Sequence, residues 1–255
     1  MLNPFRRELD DLDRQTASVG DNWRVYAVGD IHGRLDLLDQ LLGMIVADNA
    51  LRPPKRLRLI LLGDLVDRGP RSAQVLERVR ALLASGGDIR LIKGNHEEVF
   101  SLAARGDLNA VRLFRRIGGL ETLSSYGLIA SAGAAMDDGM LADWMLNNVP
   151  RADVDLIDDF IDRIEMGDYL FVHAGIRPRV PLHAQQASDL RWIRSEFLDH
   201  AGAYDKVVVH GHSITQEIDE RSNRIGIDTG AYRSGRLTAL CLEGAERWFL
   251  QTGED

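Results

Sequence analysis

One pattern constrains this chain more than any other. A short run of apolar, β-branched residues leads into a glycine-bearing turn loaded with Asp, His or Asn, and an amphipathic helix follows. Residues 24–28 run into Gly29-Asp30-Ile31-His32-Gly33, after which Leu35, Leu38, Leu41, Leu42 and Ile45 keep helical spacing. Residues 57–62 run into Gly63-Asp64-Leu65-Val66-Asp67-Arg68-Gly69 and a helix over 72–84. Residues 89–92 run into Gly94-Asn95-His96-Glu97 and a third helical stretch. This alternation predicts an α/β layered fold, with central β-sheets flanked by helices.

The middle, about 106–163, reads as a mostly helical insertion. Val154, Ile157, Phe160, Ile161 and Ile164 keep helical spacing, and Asp155, Asp158, Asp159 and Asp162 supply a polar face. Strand patterning then returns. Residues 170–172 precede His173-Ala174-Gly175, and 207–209 precede His210-Gly211-His212. Two further strands, 224–227 and 237–242, flank the turn Asp228-Thr229-Gly230. The polar, aperiodic residues 1–22 read as an N-terminal arm, and 23–255 as one domain. The N-terminal stretch has mixed charge and no apolar run, so no secretory signal is expected.

Composition narrows the partners. A net charge of -8 argues against broad nucleic-acid binding, which needs a cationic surface. No apolar run approaches the roughly 20 residues that cross a bilayer. The single Cys241 excludes an internal disulfide and suits a reducing compartment, so a cytoplasmic location is expected. No sequence feature specifies an oligomeric state.

Asp30, His32, Asp64, Asn95, His96, His173 and His212 each follow a predicted strand. Ligands in open α/β sheets bind outside the carboxyl ends of the strands, so these loops are expected to converge. Carboxylates, imidazoles and one amide oxygen suit Mn, Fe or Zn better than calcium, and the lack of thiolates argues against a structural zinc site. Gly29, Gly33, Gly63, Gly94 and Gly211 flank these residues, where tight turns favour a missing Cβ. Cys241 and Arg247 have the spacing of a cysteine-dependent phosphatase loop. However, Glu243 and Glu246 would repel a phosphate there, and core packing explains Cys241 better.

The ordered set of turns resembles the signature blocks of the metallo-dependent phosphoprotein phosphatases, most closely the bacterial and phage branch that includes the bacteriophage lambda phosphatase. The likeness extends from about Val25 to Leu242. It implies a metallophosphoesterase-type catalytic domain with two divalent metal ions, Mn first, with Fe, Zn or Mg as alternatives. By resemblance, Asp30 and His32 hold one metal, Asp64 bridges, and Asn95, His173 and His212 complete the other. A carboxylate bridge suits the separation of about 3.5–4 Å found in two-metal hydrolysis sites. The resemblance implies attack by a metal-bridging hydroxide. His96 acts as the acid with Asp67 orienting it, and Arg68 and Arg194, beside Asn95, grip the phosphate. His212, directly after glycine, is favoured over His210 as ligand. Glu97 is expected to support the loop, and Lys93 stands where many relatives carry arginine. Arg191 either joins that phosphate grip or is a surface charge. His183 and His200 read as ordinary surface, and the Arg112-Arg115-Arg116 cluster and the acidic face read as solvated faces ahead of a rim for anionic substrates and a surface for basic phosphopeptides.

The expectation for substrate is phosphoserine or phosphothreonine in proteins. A dinucleoside polyphosphate (diadenosine tetraphosphate) hydrolase is the alternative. Asp67 and Glu97 decide between them, because that branch typically carries alanine and aspartate at those places. A catalytically silent metal-binding regulator is a third reading, and the intact ligand set and His96 speak against it.

Overall fold

Alternation of inward and outward residues along the strands builds two sheets that face each other. The computed structural model describes residues 17–253. In chain order the strands are β1 (Trp23–Val28), β2 (Arg56–Leu61), β3 (Asp88–Leu91), β4 (Arg163–Met166), β5 (Tyr169–Val172), β6 (Val207–His210), β7 (Asp219–Glu220), β8 (Arg224–Gly226), β9 (Thr238–Glu243) and β10 (Glu246–Gln251). Helices α1 (Leu35–Ala50), α2 (Ser72–Ala84) and α3 (Asn95–Ala104) follow β1, β2 and β3. Between α3 and β4 lie α4 (Leu108–Ile117), α5 (Gly119–Ser125), α6 (Ala130–Ala135), α7 (Asp138–Asn148) and α8 (Arg151–Asp158). The short α9 (Ala187–Trp192) and α10 (Ser195–Leu198) connect β5 to β6.

The first sheet has the order β10-β9-β1-β2-β3 and the second β4-β5-β6-β8-β7. In the first, β1, β2 and β3 are parallel, and Val28 pairs with Leu61, which aligns with Leu91 in turn. Their three polar turns therefore leave the sheet at one edge. In the second, Phe171 pairs with Val209 and Val209 with Ile225, so the turns after β5, β6 and β8 also emerge side by side.

Val25, Ala27 and Ile60 of the first sheet pack against Tyr169, Phe171, Val209 and Ile225 of the second. The alternate residues Tyr26, Val28 and Leu61 pack with Leu38, Val75 and Phe100. Leu170, Val172 and Val208 pack with Leu190 and Phe197. This is the α/β metallophosphoesterase fold, two mixed sheets flanked by helices. Each fully buried Leu, Ile or Val contributes about 1.5–3 kcal/mol, so three apolar layers hold the loops' roots firmly.

Three sequence expectations change. The helical pattern expected to reach Ile164 ends at Asp158. Ile161 N–H instead donates to Leu91 O (3.0 Å), and Lys93 N–H donates to Ile161 O (2.8 Å). Those bonds to the end of β3 replace the next helical turn, and Ile164 sits on β4. The half-exposed strand β10 carries no clean alternation and was not expected. Of the arm expected over 1–22, residues 1–16 lie outside the described residues, whereas Ala17 and Val19 are buried in the inter-sheet core. Cys241 is buried on β9 and burial pushes its thiol pKa up, in keeping with a core role.

Asp158 ties the helical insertion to the turn after β3. Its carboxylate accepts from Lys93 Nζ (3.1 Å), Ser101 Oγ (2.7 Å) and Arg105. Burial opposes ionisation, but these donors prevail and bring its pKa from 3.8 down to about 2. Its stabilising effect is present above the unfolded value and is lost as pH falls through the folded one. Replacing Asp158 with Asn is therefore expected to lower the melting temperature at pH 7. The gap to wild type should narrow between pH 4 and pH 2 in a thermal-melt series. A gap that does not change with pH would count against the role assigned to this carboxylate.

Candidate metal centre

The polar turns meet at the edge where both sets of strands end. His32, Asp64 and His96 place one potential ligand atom each within 4.8 Å of one another, and so do Asp64, His173 and His212. Asp64 belongs to both groups. All are buried, at 6% exposure or less.

Tautomers follow from partners that only accept. His173 Nδ1 lies 2.9 Å from Leu62 O and His32 Nδ1 lies 2.8 Å from Val66 O. Both Nδ1 atoms therefore carry the proton, which turns the Nε2 lone pairs into the cluster. His173 Nε2 then faces Asn95 Oδ1 at 3.0 Å and an Asp64 carboxylate oxygen at 3.4 Å, and the Asp64 charge raises the His173 pKa against burial. These acceptors call for positive charge at this point, as a proton on the ring or as a bound cation. Asn95 Oδ1 is also 2.9 Å from His212 Nδ1, and His212 Nε2 has no partner. The donor set fits two divalent ions.

The electrostatics agree. Burial would raise Asp64, but the surrounding His173, His96 and His32 hold its pKa well below the ordinary carboxylate range. Burial lowers His32 to about 3 and His212 to about 2, which keeps both rings available as neutral donors of lone pairs.

The backbone is strained where these side chains sit. Among the described residues the non-glycine positions with positive φ are His32 (46°), Asp64 (50°), Asp67 (71°), Arg68 (67°), Arg179 (65°) and His212 (61°). All but Arg179 belong to the site. Such conformations cost about 1–3 kcal/mol each and persist only where the surroundings fix them. At Gly211 and Gly94 a Cβ would strike a carboxylate of the site. One at Gly211 would lie 2.0 Å from Asp30 Oδ1, and one at Gly94 would lie 2.2 Å from Asp64 Oδ1.

The other expected residues divide. Asp30 is beside the cluster, where its carboxylate accepts from His212 N–H (3.2 and 3.1 Å). It lies against Asp228, and burial followed by the Asp228 and Asp64 charges raises its pKa. His96 Nδ1 is 2.6 Å from Asp67 Oδ2, and Thr122 Oγ1 donates to Asp67 Oδ1 (2.7 Å). Burial opposes protonation of His96, yet the Asp64 and Asp67 carboxylates raise its pKa. The Arg68 guanidinium lies 2.9 Å from both His32 Nε2 and His96 Nε2. Arg194 is exposed and near enough to His212 to help lower its pKa, and it makes no ion pair among the described residues. Arg191 instead bridges Asp162 (2.6 Å) and Glu98 (3.1 Å), a structural contact. His210 points elsewhere, with its ring 5.0 Å from Phe197.

Two neighbours of the site were missed in the sequence. Asp228 is buried with Oδ2 unpartnered, and its turn follows β8 in the same strand-then-Asp-Gly pattern as the others. Tyr232 lies edge-on to His32, ring centroids 5.4 Å apart, with the Arg68 guanidinium 5.0 Å over its ring. No sequence pattern marks it.

Fold and site together define a metal-dependent phosphoesterase. The chain belongs to the calcineurin-like phosphoesterase family, whose model matches residues 24–235. It is 33% identical over 186 residues to a symmetrical bis(5'-nucleosyl)-tetraphosphatase of Acidovorax ebreus, which covers 72% of this chain and 51% of that protein. The chain thus spans about half the length of that relative. It is 25% identical over 248 residues to an asymmetrical bis(5'-nucleosyl)-tetraphosphatase of Anoxybacillus flavithermus, covering 84% of this chain and 88% of the other. A crystal structure provisionally described as a diadenosine tetraphosphatase matches with TM-score 0.61 at 21% identity, over 92% of this chain and 96% of that one. Among the described residues no helix is long and apolar enough to cross a membrane.

These relatives overturn the expected phosphoserine/phosphothreonine activity and phosphoprotein substrate. The physical reason lies in the two residues used to decide. Glu97 is fully buried and accepts from the N–H groups of Asp64 (2.7 Å), Leu65 (2.7 Å) and Gly94 (2.9 Å). Asp67 is equally buried and touches His96 and Thr122. Both face inward, so they hold the site together and report nothing about the substrate.

Asp64→Asn is expected to reduce bound metal in elemental analysis from near two equivalents to one or fewer, because both groups lose a charged ligand. Turnover should fall at least a hundredfold. Full metal content in this variant would rule out Asp64 as the shared ligand. Glu97→Ala leaves three buried donors unsatisfied, at about 1–3 kcal/mol each, and should lower the urea midpoint markedly.

Proposed function

We propose that this protein hydrolyses dinucleoside polyphosphates such as diadenosine tetraphosphate. The observation that carries the reading is that relatives of two kinds, cutting symmetrically and asymmetrically, both act on dinucleoside tetraphosphates. The surface around the site supports it. Most described arginines are paired with carboxylates, yet several near the centre are not. Arg194 lies by His212. Arg71 donates its backbone N–H to Gly33 O (3.0 Å), next to His32. Arg233 is 3.4 Å from the Cβ position of Gly230, beside Asp228. Arg116 stands just before Gly118, whose carbonyl accepts from Arg68 N–H (2.8 Å). Several arginines without a carboxylate partner among the described residues, on segments next to the site, exceed the need of one phosphate and suit a chain of them.

Two divalent ions, with Mn the first choice, would be held by Asp30, His32, Asp64, Asn95, His173 and His212, and would supply Lewis acidity and an activated water. Arg68 and Arg194 bind phosphate oxygens. Asp67 fixes the His96 ring so that its Nε2 faces the site and delivers a proton to the leaving oxygen. A phosphate leaving group needs that proton less than an alkoxide does, since its second pKa is about 6.

Purified protein supplied with Mn is expected to cleave diadenosine tetraphosphate at least tenfold faster, as kcat/KM, than a phosphothreonine peptide. EDTA should abolish both activities. Chromatography of the products separates a symmetrical cut, giving ADP alone, from an asymmetrical one, giving ATP and AMP. His96→Asn should reduce hydrolysis of an alkyl phosphate more than that of the dinucleotide. Preference for the phosphopeptide would overturn the reading.

A further inference from the structure

Behind the turn that carries His212 lies a cavity of about 520 Å³, and nothing in the metal chemistry uses it. Its walls come from β6, β8, the turn between β7 and β8, and the segments after β6 and α10. Parallel pairing sets Val208 opposite Arg224 and His210 opposite Gly226, so His210 and Arg224 project from the same face of the second sheet. Gly226 leaves room there, because a Cβ would lie 3.0 Å from His210 Cε1. The buried Phe197 packs behind these side chains, 5.0 Å from the His210 ring and 5.8 Å from the Arg224 guanidinium.

Four buried polar atoms around this one cavity have no partner: His210 Nε2, Ser213 Oγ, Thr215 Oγ1 and Arg224 Nε. An unmet buried group costs about 1–3 kcal/mol, so four in one place mark a surface built for a ligand. Their chemistry is specific. His210 Nδ1 lies 3.0 Å from Gly211 O and so carries the proton, which makes Nε2 an acceptor. Arg224 Nε can only donate, and the two hydroxyls can do either. Asp199 and Asp219 line the space together with Arg221 and Arg224, so acidic and basic groups balance and a neutral ligand fits. A vicinal diol on a neutral ring meets these requirements, since one hydroxyl donates a hydrogen bond to His210 Nε2 and the other accepts one from Arg224 Nε.

The cavity is joined to the metal centre in two ways. Thr215 N–H donates to Asp228 O (3.0 Å), beside Asp30. Shallow depressions also lead along the surface from the cavity to Arg194, whose charge is felt by His212. One is lined by Arg194, Ser195 and Glu196, and the next by Arg179, Ser195 and Glu196, together with Asp199 and His200 of the cavity itself. Arg194 and Arg179 are exposed and make no ion pair among the described residues.

We propose that this cavity binds the ribose and base at one end of the substrate, with Arg194 and Arg179 taking the phosphates in between. The nucleoside rests on the dinucleoside polyphosphate reading, whereas the preference for a diol rests on the cavity alone. Calorimetric titration of the full chain with adenosine tests it without turnover. Adenosine should bind, and 2',3'-dideoxyadenosine should bind at least tenfold more weakly. Thr215→Val, which keeps side-chain shape, and Ser213→Ala should each weaken adenosine severalfold. If adenosine does not bind at up to about 10 mM, or binds wild type and both variants equally, the cavity is not a nucleoside site. Binding of this pattern in a protein that fails to cleave diadenosine tetraphosphate would sustain the cavity and remove the activity. Cleavage with variant-independent adenosine binding would do the reverse.

Discussion

Burying the Glu97 carboxylate, which accepts from the N–H groups of Asp64, Leu65 and Gly94, makes the rest of the site possible. These donors belong to two turns that emerge from different strands and have no ladder of their own beyond the sheet edge. Left to itself, the turn after β2 would not hold Asp64, Asp67 and Arg68 at positive φ. One acceptor shared between the two turns fixes their separation and offsets that strain. Burial, then the nearby Asp64 charge, raises the Glu97 pKa, so the brace itself is held in an unfavourable field. The three apolar layers beneath supply the surplus that tolerates it.

The same crowding explains why the centre demands cations. Asp30, Asp64, Asp67, Glu97 and Asp228 are all 2% exposed or less. Burial raises Asp30, Asp67, Glu97 and Asp228, while the imidazoles hold Asp64 ionised. A cluster of this kind is stable only when positive charge is bound inside it. Asp64 sits where that charge is needed twice, and Arg68 on the rim is positive for the next anion to arrive. Binding of metal and binding of phosphate are thus successive answers to one electrostatic problem.

Much of this was legible in the sequence because loop chemistry is local. A β-branched run followed by Gly-Asp or Gly-Asn states both a strand end and a ligand, so β1, β2, β3, β5 and β6 were found within a residue or two of their bounds. Other features depend on partners distant in sequence. Nothing near Ile161 announces that its backbone will pair with the end of β3 rather than continue a helix. Asp228 looked like a turn residue because its neighbour Gly230 is one, and only the fold shows it lying against Asp30. Tyr232 reaches His32 and Arg68 by tertiary geometry alone.

The substrate was misjudged for a related reason. Residues chosen as markers of a branch were assumed to meet the ligand, yet Asp67 and Glu97 meet only the protein. Specificity has to be sought where side chains face outward and remain unsatisfied. In this chain those are the unpaired arginines of the rim and the polar atoms around the cavity behind His212. Apart from His210, which shares a turn with His212, none belongs to a metal block, and none would stand out in a sequence with so many arginines. On the proposed reading, the metal blocks break the phosphate bond and the unpaired groups around them select the molecule. A change in a metal-holding loop disturbs the buried charge balance, whereas a change on the rim leaves that balance alone.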